Sequence, residues 1–274
     1  MPEAFRKTQF HLRVSALCWS QKPLKERRPK RSSEIILISG GNTGLGLEIV
    51  RALCRSSRSY KILLAGRSLE KAAAATEKLA SKQPNGSTTV EPIQLDVDDD
   101  ESINSACKFV EEQFGRLDVL VNNAGANFDR ELYLGKVSLR EAWNKSWAVN
   151  TVGSHVVSSV FTPLLLKSAD PRLIFIASGT ATLHGQTKEE RFTDRAPAKG
   201  WSKEELGWSA YRSAKTGMNM MMREWARVLK GRQGQSVRSK PRSAGYWARR
   251  RSRITEADGS HRSTDWSRAR HISY

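Results

Sequence analysis

Apolar and polar residues alternate in blocks from residue 34 to residue 230. "EIILISGG" (34–41) is a short apolar run ending in glycine, and a helical pattern follows it through Cys54. "YKILLAGR" (60–67) is a second run, and "SLEKAAAATEKLA" behind it consists of strong helix formers. A third run covers 88–97. It leads into 98–115, where three consecutive aspartates stand at a helix start and Gly115 stands at its end. "LDVLVNNAG" (117–125) is a fourth run, followed by a long helical stretch over 138–168. "RLIFIASG" (172–179) is a fifth, and 208–230 is again helical. Near-continuous apolar strands that alternate with helices predict a parallel sheet covered on both faces.

Right-handed crossovers turn such a sheet into a doubly wound, Rossmann-type α/β fold. Charge sharpens the domain boundaries. The net charge of +18 suggests a nucleic-acid partner, but its distribution does not. Residues 1–32 hold nine Lys/Arg against two acids, and residues 231–274 hold eleven against three, which leaves only +3 for residues 33–230. The middle is an ordinary domain between two basic ends. Residues 1–32 read as a disordered or mis-assigned basic extension, and residues 231–274 as a basic, disordered tail. No nucleic-acid partner is assigned. No apolar run reaches the ~18 residues of a membrane span, so no membrane is assigned either. Cys18, Cys54 and Cys107 show no paired spacing and the five histidines no metal-ligand spacing. The chain therefore reads as reduced and metal-free, with the cytoplasm favoured over the mitochondrion.

The first strand–helix turn carries chemistry. "SGGNTGLG" (39–46) sets Gly40, Gly44 and Gly46 between a strand and a helix. Glycines there permit a tight turn and let backbone approach a pyrophosphate, which the free N–H groups of the helix start attract. The end of the second strand selects the cofactor. An acid at that place holds the ribose 2′-hydroxyl of NAD, whereas an arginine suits the 2′-phosphate of NADP. Here Arg67 and Ser68 stand in place of an acid. An arginine–phosphate pair contributes about 1.5–3 kcal/mol, roughly a ten- to hundredfold preference for NADP(H). Finally, "AYRSAK" (210–215) puts Tyr211 and Lys215 on one helix face. A lysine ammonium one turn away favours the ionised form of a phenol, which can then exchange a proton with a substrate oxygen.

SGGNTGLG, the NNAG at 122–125, Asn150, Ser178 and YRSAK follow one another in the order and approximate spacing of the short-chain dehydrogenase/reductase family. The chain resembles that family over residues 34–230. The resemblance implies an oxidoreductase that transfers a hydride between NADP(H) and a small carbonyl/alcohol substrate. It implies Tyr211 as catalytic acid/base, with Lys215 tuning it and holding the nicotinamide ribose. Ser178 would hydrogen-bond the substrate oxygen, and Asn150 would anchor a proton-relay water. Ser39, Gly40, Asn42, Gly44, Leu45, Gly46 and Arg67 would line the cofactor, with Asp96 beside the adenine and Asn123, Ala124 and Gly125 flanking it. Substrate identity and oligomeric state stay open.

The chain departs from the family pattern twice. Ser178 and Tyr211 lie 33 positions apart, where many relatives have nearer a dozen. The inserted segment is polar, contains Trp201 and Trp208, and resembles an insertion in carbonyl-reductase-like and fungal members. The second departure begins after Lys230. The family continues there with a sixth strand, a Pro-Gly turn, a substrate loop and a seventh strand. Residues 231–274 contain no Leu, Met or Phe, and their only branched aliphatic residues are Val237, Ile254 and Ile272. So little apolar surface does not offset a backbone ordering cost of about 1–2 kcal/mol per residue. Permitted codons for Gly231 onward, read one nucleotide later, encode a strand, a Pro-Gly turn and a Thr-bearing loop, so the expectation is a frame-shifted C-terminus. The sheet would then stop after its fifth strand with residues 172–179 as a bare edge, and the helix of Tyr211 would lose its support. Two alternatives stand beside the enzyme: a non-functional or cofactor-binding-only product of a disrupted frame, and a basic-tailed nucleic-acid binder.

Overall fold

The computed structural model describes residues 11–14, 33–80, 88–183, 196, 199–201 and 208–231. The five expected strands form as β2 (Glu34–Ile38), β3 (Tyr60–Gly66), β4 (Thr89–Gln94), β5 (Val119–Asn122) and β6 (Arg172–Phe175). They run parallel in the order β4-β3-β2-β5-β6. The chain thus winds outward in both directions from β2, and a crevice opens at the strand ends beside it.

Why the strands are apolar throughout is visible in β2. Ile35 and Leu37 point into one cluster with Val110, Phe161 and Met218. Ile36 and Ile38 point into a second with Val50, Ala72 and Leu79. Helices cover both faces, so successive side chains of one strand are all buried. On the second face lie α1 (Gly44–Cys54) and α2 (Leu69–Ala80). On the first lie α3 (Asp100–Phe114), α6 (Gly153–Leu166) and α7 (Ser209–Gly231). Two short helices, α4 (Asp129–Tyr133) and α5 (Leu139–Trp147), precede α6. The caps obey local chemistry: the Asp99 carboxylate accepts from the Glu101 N–H, and Gly115 closes α3 at φ +67°.

The structure differs from the sequence expectation in two places. The helical stretch 138–168 is not continuous, because residues Ala148–Val152 widen into a π-helical turn. Counted through that turn, Leu139–Leu166 is long and apolar enough to cross a membrane by length and composition alone. Its apolar residues Val157, Phe161, Leu164 and Leu165 are instead packed in the first core cluster.

The expected bare edge is also absent. His11–Val14 forms β1, which runs parallel to β6 with His11 opposite Arg172 and Val14 opposite Phe175. An uncovered row of backbone donors and acceptors accepts any strand that reaches it. The connection from Val14 to Glu34 exceeds the dozen residues that a parallel crossover needs. Residues 11–14 thus form a strand within the span that the sequence reads as a disordered or mis-assigned basic extension. The helix of Tyr211 turns one side into the core, with Ala210, Ala214, Lys215, Met218, Met222 and Leu229 buried. The tail beyond Gly231 and most of the insertion between Ser178 and Tyr211 lie outside the described residues.

Candidate active site

The expected site residues lie at the carboxyl ends of β2, β3, β4, β5 and β6, on the π turn and on α7. After Ile38 the chain turns through Gly40 (φ +61°) and Gly44 (φ +53°), a backbone that side chains resist. Gly46 sits so close beneath the turn that a Cβ there would overlap the carbonyl of Gly40 and the amide of Asn123. Gly44 has nothing within 4 Å of its Cβ position, so this face of the turn is open. Thr43 makes no side-chain cap to α1, and α1 has no acid in its first turn. The helix start thus presents backbone N–H groups to an open cradle, a seat for an anion. Leu45 is 58 % exposed on its rim.

Ser39 and Asn123 hold the cradle in place. The Ser39 Oγ accepts from the Asn123 and Ala124 N–H groups, both at 3.0 Å. Asn123 Nδ2 donates to the Ser39 and Gly40 carbonyls at 2.9 and 3.1 Å. The glycine turn and the NNAG segment are therefore one rigid unit. Asn42 lies over Gly66, its Oδ1 3.0 Å from the Cβ position there. Arg67 follows directly and is exposed. Asp96 stands beyond β4, its Oδ1 accepting from the Asp98 N–H at 3.1 Å.

Asn150 and Lys215 meet over Gly125. A Cβ at Gly125 would lie 2.7 Å from Asn150 Oδ1 and 3.1 Å from Lys215 Nζ, which is why this position carries no side chain. Asn150 occupies the π turn and is fully buried. Its Nδ2 donates to the Ala126 and Ser146 carbonyls at 2.7 and 2.8 Å, and its Oδ1 accepts from the Ala126 N–H at 3.2 Å. The extra residue of a π turn re-aims such a side chain out of the helical register. Lys215 is 3 % exposed, and Nζ donates to the Ile176 carbonyl at 3.1 Å. Burial pulls its ammonium down to about 8 from the ordinary lysine value.

The turn after β6 is fastened to the same helix. Ser178 Oγ and Thr180 Oγ1 are 2.8 Å apart. Arg212 Nε donates to the Thr180 carbonyl at 3.0 Å, and Thr216 Oγ1 to the Ala181 carbonyl at 3.1 Å. From the other side, Thr151 Oγ1 donates to the Ala214 carbonyl at 2.7 Å. Tyr211, half-buried, stands one turn before Lys215. Cofactor cradle, Asn150, Lys215 and the Ser178 turn are thus locked together by short, directional contacts.

A strand–glycine turn–helix cradle joined to an Asn–Lys–Tyr cluster has a counterpart in a known family. The family model described as short chain dehydrogenase matches residues 34–189. The chain belongs to the short-chain dehydrogenase/reductase family. A dehydrogenase/reductase of Phoma sp. named eupG is 43 % identical over 201 residues, covering 72 % of this chain and 72 % of that one. The Talaromyces stipitatus dehydrogenase/reductase tropE is 39 % identical over 193 residues, covering 70 % and 71 %. Among solved structures, an alcohol dehydrogenase from Thermococcus sibiricus complexed with 5-hydroxy-NADP superposes with a TM-score of 0.54 at 23 % identity, covering 72 % of each chain. A metagenomic short-chain oxidoreductase in complex with NADP gives 0.53, also at 23 %, covering 72 % and 77 %. The family makes this chain an oxidoreductase built to bind a nicotinamide cofactor. No group of three or more His, Cys, Asp or Glu that could hold a metal occurs among the described residues.

Three contributors were not legible in the sequence. Thr151 donates to the Ala214 carbonyl 63 positions away, and the Thr180 carbonyl accepts from Arg212, 32 positions away. Asp129 lies 81 and 82 positions from the N–H groups it accepts, those of Ala210 and Tyr211. No local pattern signals a contact of that separation.

Proposed function

We propose that the chain is an NADP(H)-preferring oxidoreductase acting on a small carbonyl/alcohol pair. The observation that carries this reading is the convergence of Asn150 and Lys215 over Gly125, one helical turn from Tyr211 and fastened to the Ser178 turn. The residues present fit the dinucleotide. The open face at Gly44 and the uncapped start of α1 suit its pyrophosphate. Asn123, Ala124 and Gly125 would flank the cofactor, Leu45 would edge the pyrophosphate cradle, and Asp96 would lie on the adenine side. Arg67 and Ser68 offer a guanidinium and a hydroxyl to a 2′-phosphate at the strand end where an acid would favour NAD. The two solved structures above hold NADP-type molecules, in keeping with that choice.

The bound cofactor supplies the hydride. The remaining work falls to the protein. Ser178 Oγ donates to the substrate oxygen and fixes its distance from Tyr211. The Tyr211 hydroxyl gives that oxygen its proton in reduction and takes it back in oxidation. Lys215 is buried, donates to the Ile176 carbonyl and reaches the Met218 sulfur, and it keeps one N–H for a ribose hydroxyl. Its positive charge favours the phenolate while the proton is away. Asn150, whose amide clamps Ala126, holds the wall against which a relay water can sit. The scattered thiols fit a reducing compartment, and we place the enzyme in the cytoplasm. We further propose that residues after Lys230 come from a shifted frame and that β1 stands in for the lost strand.

Tyr211→Phe tests the chemistry. The hydroxyl adds little to cofactor contact, so the variant should bind NADPH within about threefold of the parent and lose roughly 10²–10⁴-fold in turnover. More than about a tenth of the parent turnover would require another acid/base group.

A further inference from the structure

We infer that Asp129 is the positioning residue of the catalytic helix, acting as its N-terminal cap from a distant part of the chain. This rests on the reading of Tyr211 as the acid/base. The first helical hydrogen bond of α7 runs from the Arg212 N–H to the Trp208 carbonyl at 2.9 Å, which makes Trp208 the cap residue. An indole has a donor but no acceptor. Trp208 therefore cannot bind the N–H groups of the second and third helical residues, the task of an Asp, Asn, Ser or Thr at that place. Those residues are Ala210 and Tyr211. Both N–H groups are nevertheless satisfied. Ala210 donates to Asp129 Oδ1 and Tyr211 to Asp129 Oδ2, each at 3.0 Å. The carboxylate is 2 % exposed, and its own N–H is held by Asn127 Oδ1 at 2.9 Å.

The arrangement answers a need created by the sequence. A short connection between β6 and α7 would itself dictate where the helix starts. The connection from Ser178 to Tyr211 spans 33 positions, too long for its length alone to set where the helix starts. The Thr180 and Ala181 carbonyls hold α7 from Arg212 onward, and Asp129 holds the first turn from the NNAG side. Its segment leaves the NNAG turn and is clamped at Ala126 by Asn150. One five-residue loop, Gly125–Asp129, thus touches Lys215 at one end and the Tyr211 backbone at the other. The height of the Tyr211 hydroxyl above the cofactor wall is set by a bond from that wall.

The test uses the full 274-residue chain, NADPH, and a panel of ketones and quinones. Asp129→Ala removes both acceptors; Asp129→Asn keeps one. In the alanine variant, amide hydrogen exchange at Ala210 and Tyr211 should accelerate by about tenfold while the β3 and β5 amides keep their rates. Turnover per bound NADPH should fall by about tenfold or more with the NADPH dissociation constant within about threefold, and Asp129→Asn should lie between. Unchanged exchange at Ala210 and Tyr211 in Asp129→Ala would overturn the inference. So would a loss of turnover matched in size by a loss of NADPH binding, because a merely structural role produces that result. Tyr211→Phe is assayed alongside. If it keeps its turnover, the reading of Tyr211 fails, while the cap is still decided by the exchange rates.

Discussion

Replacing Lys215 by Met should make the protein more stable near neutral pH and leave it without turnover. The side chain is 3 % exposed, and burial moves its ammonium to about 8 from 10.5. A depressed lysine value means that the unfolded chain binds more protons than the folded one between those two pH values. Stability must then rise with pH across that window, with the penalty full below it and gone above it. A displacement of that size corresponds to roughly 3 kcal/mol. Methionine fills a similar volume without charge but forfeits the hydrogen bond to the Ile176 carbonyl, worth about 1 kcal/mol. The variant should therefore lead by about 2 kcal/mol near pH 7. Urea unfolding of both proteins at intervals up to about pH 10 should show that lead disappearing. Subtracting the variant removes every other group that titrates in the range. A difference that stays constant within about 0.5 kcal/mol would refute a buried, strained ammonium, and with it the idea that fold stability is given up at Lys215 for chemistry.

Arg67→Ala should weaken NADPH binding by about tenfold or more and leave NADH nearly unchanged, since in the proposed reading the guanidinium serves the 2′-phosphate that NADH lacks. Fluorescence titration with both cofactors decides it, and equal affinities in the parent protein would remove the NADP assignment. Deleting residues 1–14 should bare the edge of β6 and raise concentration-dependent association in light scattering or sedimentation. An unaltered monomer–oligomer balance would show that β1 does not protect that edge.

Much of the fold was determined by the sequence alone. Strands buried on both faces must be apolar at every position, so the runs at 34–38, 60–66, 119–122 and 172–175 stood out without any knowledge of their neighbours. The helix ends at Asp99 and Gly115 were legible for a similar reason, because a cap is a bond within one turn. So was the pairing of Tyr211 with Lys215, a consequence of helical spacing. Tertiary structure decided what depends on groups far apart in the chain. The π turn that aims Asn150 at Gly125 follows from packing against α7 and has no spacing signature. The pull on Lys215 exists only once the core closes around it. Asp129 reads locally as one more polar residue in a loop, and His11–Val14 as four residues of a basic extension. The first becomes a helix cap and the second an edge strand because folding leaves unpaired N–H and C=O groups beside them. A buried or edge backbone group must find a partner, and only the assembled fold determines which residue is within reach.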